Sequence, residues 1–127
     1  MTVALWCILI AIFLPYVCTA IAKAGGRYWL RDNHDPRDFL ESLNGLARRA
    51  HAAQLNSFEV TPAFAAAVIV AHLAGNAELV TINVLSVLFI TSRLLYIICY
   101  LADWAVLRSL VWFVGMGLIV SFFVVSV

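Results

Sequence analysis

Three long stretches of this chain carry no charged side chain: Met1–Ala22 (22 residues), Val60–Ala77 (18 residues) and Ser109–Val127 (19 residues). Crossing the hydrocarbon core of a bilayer takes ~20 apolar residues. Composition agrees, with 65% hydrophobic residues and only 8 basic and 7 acidic side chains. Soluble domains have about 45–50% apolar and ~25% charged residues. Eight of the charges (Lys23, Arg27, Arg31, Asp32, Asp35, Arg37, Asp38 and Glu41) crowd into one short stretch. The chain reads as an integral membrane protein. A secreted disulfide scaffold, a nucleic-acid binder and a soluble enzyme are excluded.

Four spans are expected, at about 2–22, 50–74, 79–102 and 107–126, with a loop and helix extension over 23–49. Ala20-Ile21-Ala22 resembles a signal cleavage site. Nothing basic precedes the first run, however, and it exceeds the ~7–15 residue core of a signal peptide, so a retained helix is expected. Asp35-Pro36 offers an N-cap carboxylate with proline at the first helical position. From there to the Gly75-Asn76 stop the only strong breaker is Pro62. One continuous helix over 36–74 is expected, ~58 Å long, with its first turns in water and the membrane entered near Ala50. Short connections make an up-down-up-down four-helix bundle the economical all-α topology.

Seven basic residues (Lys23, Arg27, Arg31, Arg37, Arg48, Arg49 and Arg108) border the connections on one side, and the other side has none. The positive-inside bias puts the charged loop in the cytoplasm and both termini outside. Tyr28 and Trp29 suit the interface as aromatic anchors. The compact chain points to a bacterial inner membrane. Cys7, Cys18 and Cys99 all fall inside spans, where free Cys packs as a small hydrophobe.

Ionisable residues at membrane depth mark functional sites by default. Two are present, Glu59 and Arg93. Asn56 and Glu59 share one helix face, as do Arg93, Tyr96 and Tyr100. Helical rise places Glu59 and Arg93 each ~14 Å from the same surface, where the two charges can meet inside the bundle. Arg48, Arg49 and Arg108 would stand at the mouth of a cationic pocket open to the cytoplasm. Arg suits bidentate recognition of carboxylates, so the ligand expected is a small anion with more than one carboxylate. The competing reading is a buried Glu–Arg pair that fixes helix register. His51 and His72 lie ~31 Å apart along one helix, too far to share a metal or haem. No Cys/His cluster has metal-ligand spacing, and no metal is expected.

The segment from Arg49 to Phe64, with Asn56, Glu59, Pro62 and Phe64, resembles the second-helix signature of the MAPEG family. These are membrane-associated proteins of eicosanoid and glutathione metabolism, including microsomal glutathione transferases. Arg93-Leu94-Leu95-Tyr96-Ile97-Ile98-Cys99-Tyr100 is similar to the third-helix Arg-x-x-Tyr-x-x-x-Tyr pattern, and Arg108–Gly115 to the start of the fourth helix. The likeness covers roughly Arg48 to Gly117, and the first span agrees only in kind.

The resemblance implies a homotrimer with second helices around the threefold axis and glutathione, as co-substrate, between neighbouring protomers. It assigns Asn56, Glu59, Arg93, Tyr96 and Tyr100 to glutathione, and Arg108 to thiolate stabilisation. The family's arginine four residues before the Asn is Ala52 here. Arg48 and Arg49, about one turn earlier, are the candidates to stand in for it. The activity implied is glutathione transfer to lipophilic electrophiles, or peroxide reduction by the same thiolate. Two other classes remain: a non-catalytic trimeric binding or scaffold protein, and a small multidrug transporter. The transporter is disfavoured because the first span has no carboxylate for proton coupling. For Arg108 alone, the plainer reading is a snorkelling anchor at a helix end.

Overall fold

The computed structural model describes residues 1–127 and is all helical. α1 (Val3–Gly25), a 3₁₀ turn (Leu30–His34), α2 (Pro36–Glu41), α3 (Gly45–Ala74), α4 (Leu79–Leu101) and α5 (Ala105–Val124) follow in order. Four of them, α1, α3, α4 and α5, are long and apolar enough to cross a membrane.

Local chemistry explains most of the ends. Thr2 caps α1 by accepting from Leu5 N. Asp35 caps α2 by accepting from Asp38 N, with Pro36 at the first position as expected. Gly75 ends α3 in the left-handed conformation, φ 72°. Pro15 lies within α1 and leaves the Ala11 carbonyl without its helical donor. Thr61 of α3 reaches that oxygen at 3.3 Å, while also bonding its own Ser57 carbonyl at 2.7 Å.

The expected continuous helix over 36–74 does not form. α2 stops at Glu41, Asn44 is extended (φ −129°, ψ 164°), and Gly45 takes φ 59°. Pro62, the breaker singled out in the sequence, lies inside an unbroken α3. At ~45 Å for its 30 residues, α3 is still longer than the membrane core. The last helix opens at Ala105, two residues before the expected start, after Asp103 turns with φ 60°.

The freed α2 folds back on the bundle. Leu40 and Leu43 pack with Ala22 of α1 and Ala47 and Ala50 of α3. Tyr28 is held by Lys23 over its ring (4.3 Å), by an edge contact with Phe39 and by a hydrogen bond to Asn33 Oδ1 (2.6 Å). Of the two aromatics expected as anchors, Trp29 is the one facing outward, 65% exposed.

α1 packs most extensively on α3. Small buried side chains meet there, among them Ala4, Cys7, Ala11 and Cys18 of α1 and Ala53, Ala67 and Ala71 of α3. Small residues are what allow close helix approach in lipid. Deeper in the bundle, Phe64 stacks on Phe89 (centroids 4.1 Å apart) and meets Phe122 edge-on. At the end away from α2, Thr2 Oγ1 bonds His72 Nε2, Ala4 N donates to Asn83 Oδ1, and Asn76 Nδ2 donates to the Ser126 carbonyl. His72 Nδ1 lies 2.8 Å from the Val68 carbonyl, a contact that puts the ring proton on Nδ1 and leaves Nε2 to accept from Thr2.

Candidate functional site

The site lies where α3, α4 and α5 meet at the α2 end of the bundle. Arg93 on α4 is 4% exposed. Its Nη2 donates to Asn56 Oδ1 (2.8 Å) and Ser57 Oγ (3.2 Å) on α3. Its guanidinium also lies over the Tyr96 ring, 4.2 Å from the centroid. No buried side-chain polar atom in the protein lacks a partner. A buried cation is thus held by two neutral acceptors and an aromatic face, a set that lowers the large cost of desolvating it.

The expected meeting of Glu59 with Arg93 does not occur within the protomer. Matching depths fixed the height of the two charges but not their azimuth. At 3.6 residues per turn, Ser57 is ~100° to one side of Asn56 and Glu59 is ~60° to the other. Arg93 bonds the Asn56–Ser57 side, and Glu59 stands exposed.

Beyond Arg93 the ladder continues. Tyr96 meets Tyr100 edge-on at 5.7 Å, and Arg108 of α5 lies over the Tyr100 ring at 4.3 Å. A cavity of about 220 Å³ opens beside this ladder, lined by Asn56, Tyr96, Arg108, Ser109, Trp112 and Phe113. Its walls divide by chemistry. Asn56, Arg108 and Ser109 are polar, while Trp112 and Phe113, in edge contact at 5.1 Å, are aromatic. Asn56 Oδ1 is occupied by Arg93, which leaves its amide nitrogen as a donor for a ligand. α5 has no side-chain cap, so the positive end of its backbone adds to Arg108.

The two arginines expected to substitute at Ala52 have separate fates. Arg49 donates through Nε and Nη2 to the Leu101 carbonyl at 3.3 and 3.2 Å, closing the last turn of α4. Arg48 is exposed. Sequence reasoning missed Ser57, Ser109, Trp112 and Phe113. Trp112 was findable, because it lies four residues after Arg108 and so on the same helix face.

A second, larger cavity of about 550 Å³ lies on the other side of α3. α2 contributes Arg37 and Glu41, α1 contributes Tyr16, and α3 contributes His51, Gln54 and Phe58. His51 Nδ1 is 3.1 Å from Gln54 Oε1, and Tyr16 meets Phe58 edge-on. Gln54 and Phe58 are each two residues from Asn56, about 200° around the helix. The two cavities therefore use opposite faces of one helix.

The sequence model of the MAPEG family matches residues 3–127, essentially the whole chain. The chain belongs to the MAPEG family. The match takes in α1, which the motif likeness alone had left outside. With its four apolar helices, this MAPEG protein is an integral, multi-pass membrane protein. No curated protein and no solved structure matches it.

Proposed function

We propose that this MAPEG protein binds glutathione and transfers it to lipophilic electrophiles, with Arg108 stabilising the thiolate. The observation that carries the reading is the position of Arg108, on the wall of a cavity that also holds Asn56 and Tyr96. A free thiol has a pKa near 8.5 and is only a few per cent thiolate at neutral pH. Lowering that by about two units takes ~2.7 kcal/mol of preference for the anion. A preorganised guanidinium in a partly desolvated cavity is a donor of that strength. The sulfur then forms its bond to the electrophilic carbon. The leaving group departs with its electron pair, or an addition ends with a proton taken from water. Trp112 and Phe113 supply the apolar wall against which an electrophile arriving from the bilayer rests.

Two observations favour completion of this site between copies of the chain. A cavity of about 220 Å³ is smaller than the ~300 Å³ or more usual for a drug-sized ligand, so one protomer encloses only part of a tripeptide. The second cavity, with Arg37 and Gln54, offers polar groups on the opposite face of α3 for a neighbour to use. The assembly we propose is a homotrimer packed through α3. Ala63, Ala66, Val70 and Ala74 form its exposed stripe of small and modest side chains, whereas Ala67 and Ala71 are buried against α1 within the protomer. Glu59 sits one turn before Ala63 on that stripe, so the neighbouring protomer would cover a carboxylate that is costly in lipid.

Calorimetric titration of the detergent-solubilised protein with glutathione tests the reading. Saturable binding is expected, weakened by Asn56→Ala. Absence of heat at millimolar glutathione contradicts it.

A further inference from the structure

The family resemblance gives Tyr100 to glutathione, but the geometry gives its ring a different task. We infer that Tyr100 is a positioning residue for Arg108, its aromatic face holding the guanidinium on the cavity wall. The inference rests on the thiolate reading proposed above.

Arg108 Cζ lies 4.3 Å from the Tyr100 centroid, and no hydrogen bond or carboxylate holds that side chain elsewhere. An arginine on the first turn of a helix is otherwise free to sample many rotamers. Moreover, the positive end of α5 disfavours a cation there, so the charge needs a reason to stay. The ring supplies one through its negative face. Tyr100 is itself fixed, since it meets Tyr96 edge-on and Tyr96 is clamped under buried Arg93. The order Arg93, Tyr96, Tyr100, Arg108 is thus a stack that passes the rigidity of the bundle interior outward to the cation on the cavity wall. The contact with Arg108 is made by the face of the Tyr100 ring, not by its hydroxyl. The positioning role therefore belongs to the ring.

Two substitutions separate ring from hydroxyl. Tyr100→Leu removes the face, and Tyr100→Phe restores it without the oxygen. With glutathione bound, the ultraviolet thiolate band is titrated against pH, and kcat and KM for glutathione are measured with a model electrophile. In Tyr100→Leu the thiolate midpoint should move upward and kcat at neutral pH should fall about three- to tenfold, as the worth of one such contact implies. KM should change less than kcat. Tyr100→Phe should rescue most of both losses. An independent arm omits glutathione: modification of Arg108 by phenylglyoxal, mapped by peptide mass, should accelerate in Tyr100→Leu and not in Tyr100→Phe.

Equal loss in both variants, or loss in neither, overturns the positioning role and leaves the thiolate reading standing. Tyr100→Phe removes a single oxygen from a half-buried ring, so it decides alone if Tyr100→Leu fails to accumulate; a thiolate lost in that variant overturns the assignment. A wild-type protein that binds glutathione without forming thiolate overturns the thiolate reading, and the phenylglyoxal arm then decides the positioning of Arg108 by itself: faster modification in Tyr100→Leu alone supports it, and equal rates overturn it.

Discussion

Arg93 shows how the environment of one side chain changes what its removal should do. Breaking a buried ion pair strands a charge and costs about 3–5 kcal/mol. Arg93 instead bonds the neutral Asn56 and Ser57, so Arg93→Ala strands no charge. Its stability cost should be about 1.5–3 kcal/mol, the range for hydrogen bonds to a charged group. Glutathione affinity should fall by tenfold or more, because Asn56 loses the partner that orients its amide. Thermal unfolding and calorimetry on the same variant check this. Unchanged affinity with collapsed stability would assign Arg93 to structure alone. The sequence disclosed that Arg93, Tyr96 and Tyr100 share a face, since helical period alone fixes that. It did not disclose which α3 residues Arg93 would meet, because rise along two helices gives height and leaves rotation open. Rotation was settled by packing, through small residues such as Ala53 that turn α3 toward α1.

At the scale of elements, the arginine pair at the start of α3 offers a sharp contrast. Arg49 closes α4 through the Leu101 carbonyl, whereas Arg48 points outward. Arg49→Ala should lower stability by about 1–2 kcal/mol, with little effect on glutathione affinity. Arg48→Ala should do the reverse if its charge serves the ligand. Parallel binding and melting curves for the two variants test the division. α2 depends on a close approach at Gly26, where a Cβ would overlap Leu43 Cδ2 and lie 2.8 Å from Phe39 Cζ. Gly26→Ala should cost about 1–3 kcal/mol, the usual range for overpacking, and hydrogen exchange over 36–43 should speed up. Helix ends with a local chemical signal, at Asp35 and Gly75, were legible in the sequence. The break between α2 and α3 also carried a signal, which the expectation of one continuous helix passed over: Asn44-Gly45 is a turn-favouring pair, and Gly45 takes the left-handed φ of 59°. What the sequence did not disclose is that Leu40 and Leu43 gain burial when the chain folds back at that point.

For the whole molecule, orientation and assembly give two checks. A reporter fused after Val127 should appear outside the cytoplasm and one inserted between Asp32 and Asp35 inside, because Lys and Arg border one side only. Mass measurement of the intact protein in mild detergent should give a trimer, and monomer or dimer alone would refute packing through the α3 stripe. The central claim, however, is that this small bundle holds a thiolate with Arg108. It is tested most directly by titrating the glutathione thiolate band against pH in wild-type protein and in Arg108→Ala. A lowered thiol pKa means that the band forms at lower pH, so in wild type it should be present at neutral pH and vanish only on acidification. In Arg108→Ala the midpoint should return toward about 8.5, with turnover at neutral pH falling in step and glutathione affinity kept within a few-fold. A midpoint and turnover unchanged by Arg108→Ala would contradict the account and leave Arg108 an anchor at the end of its helix.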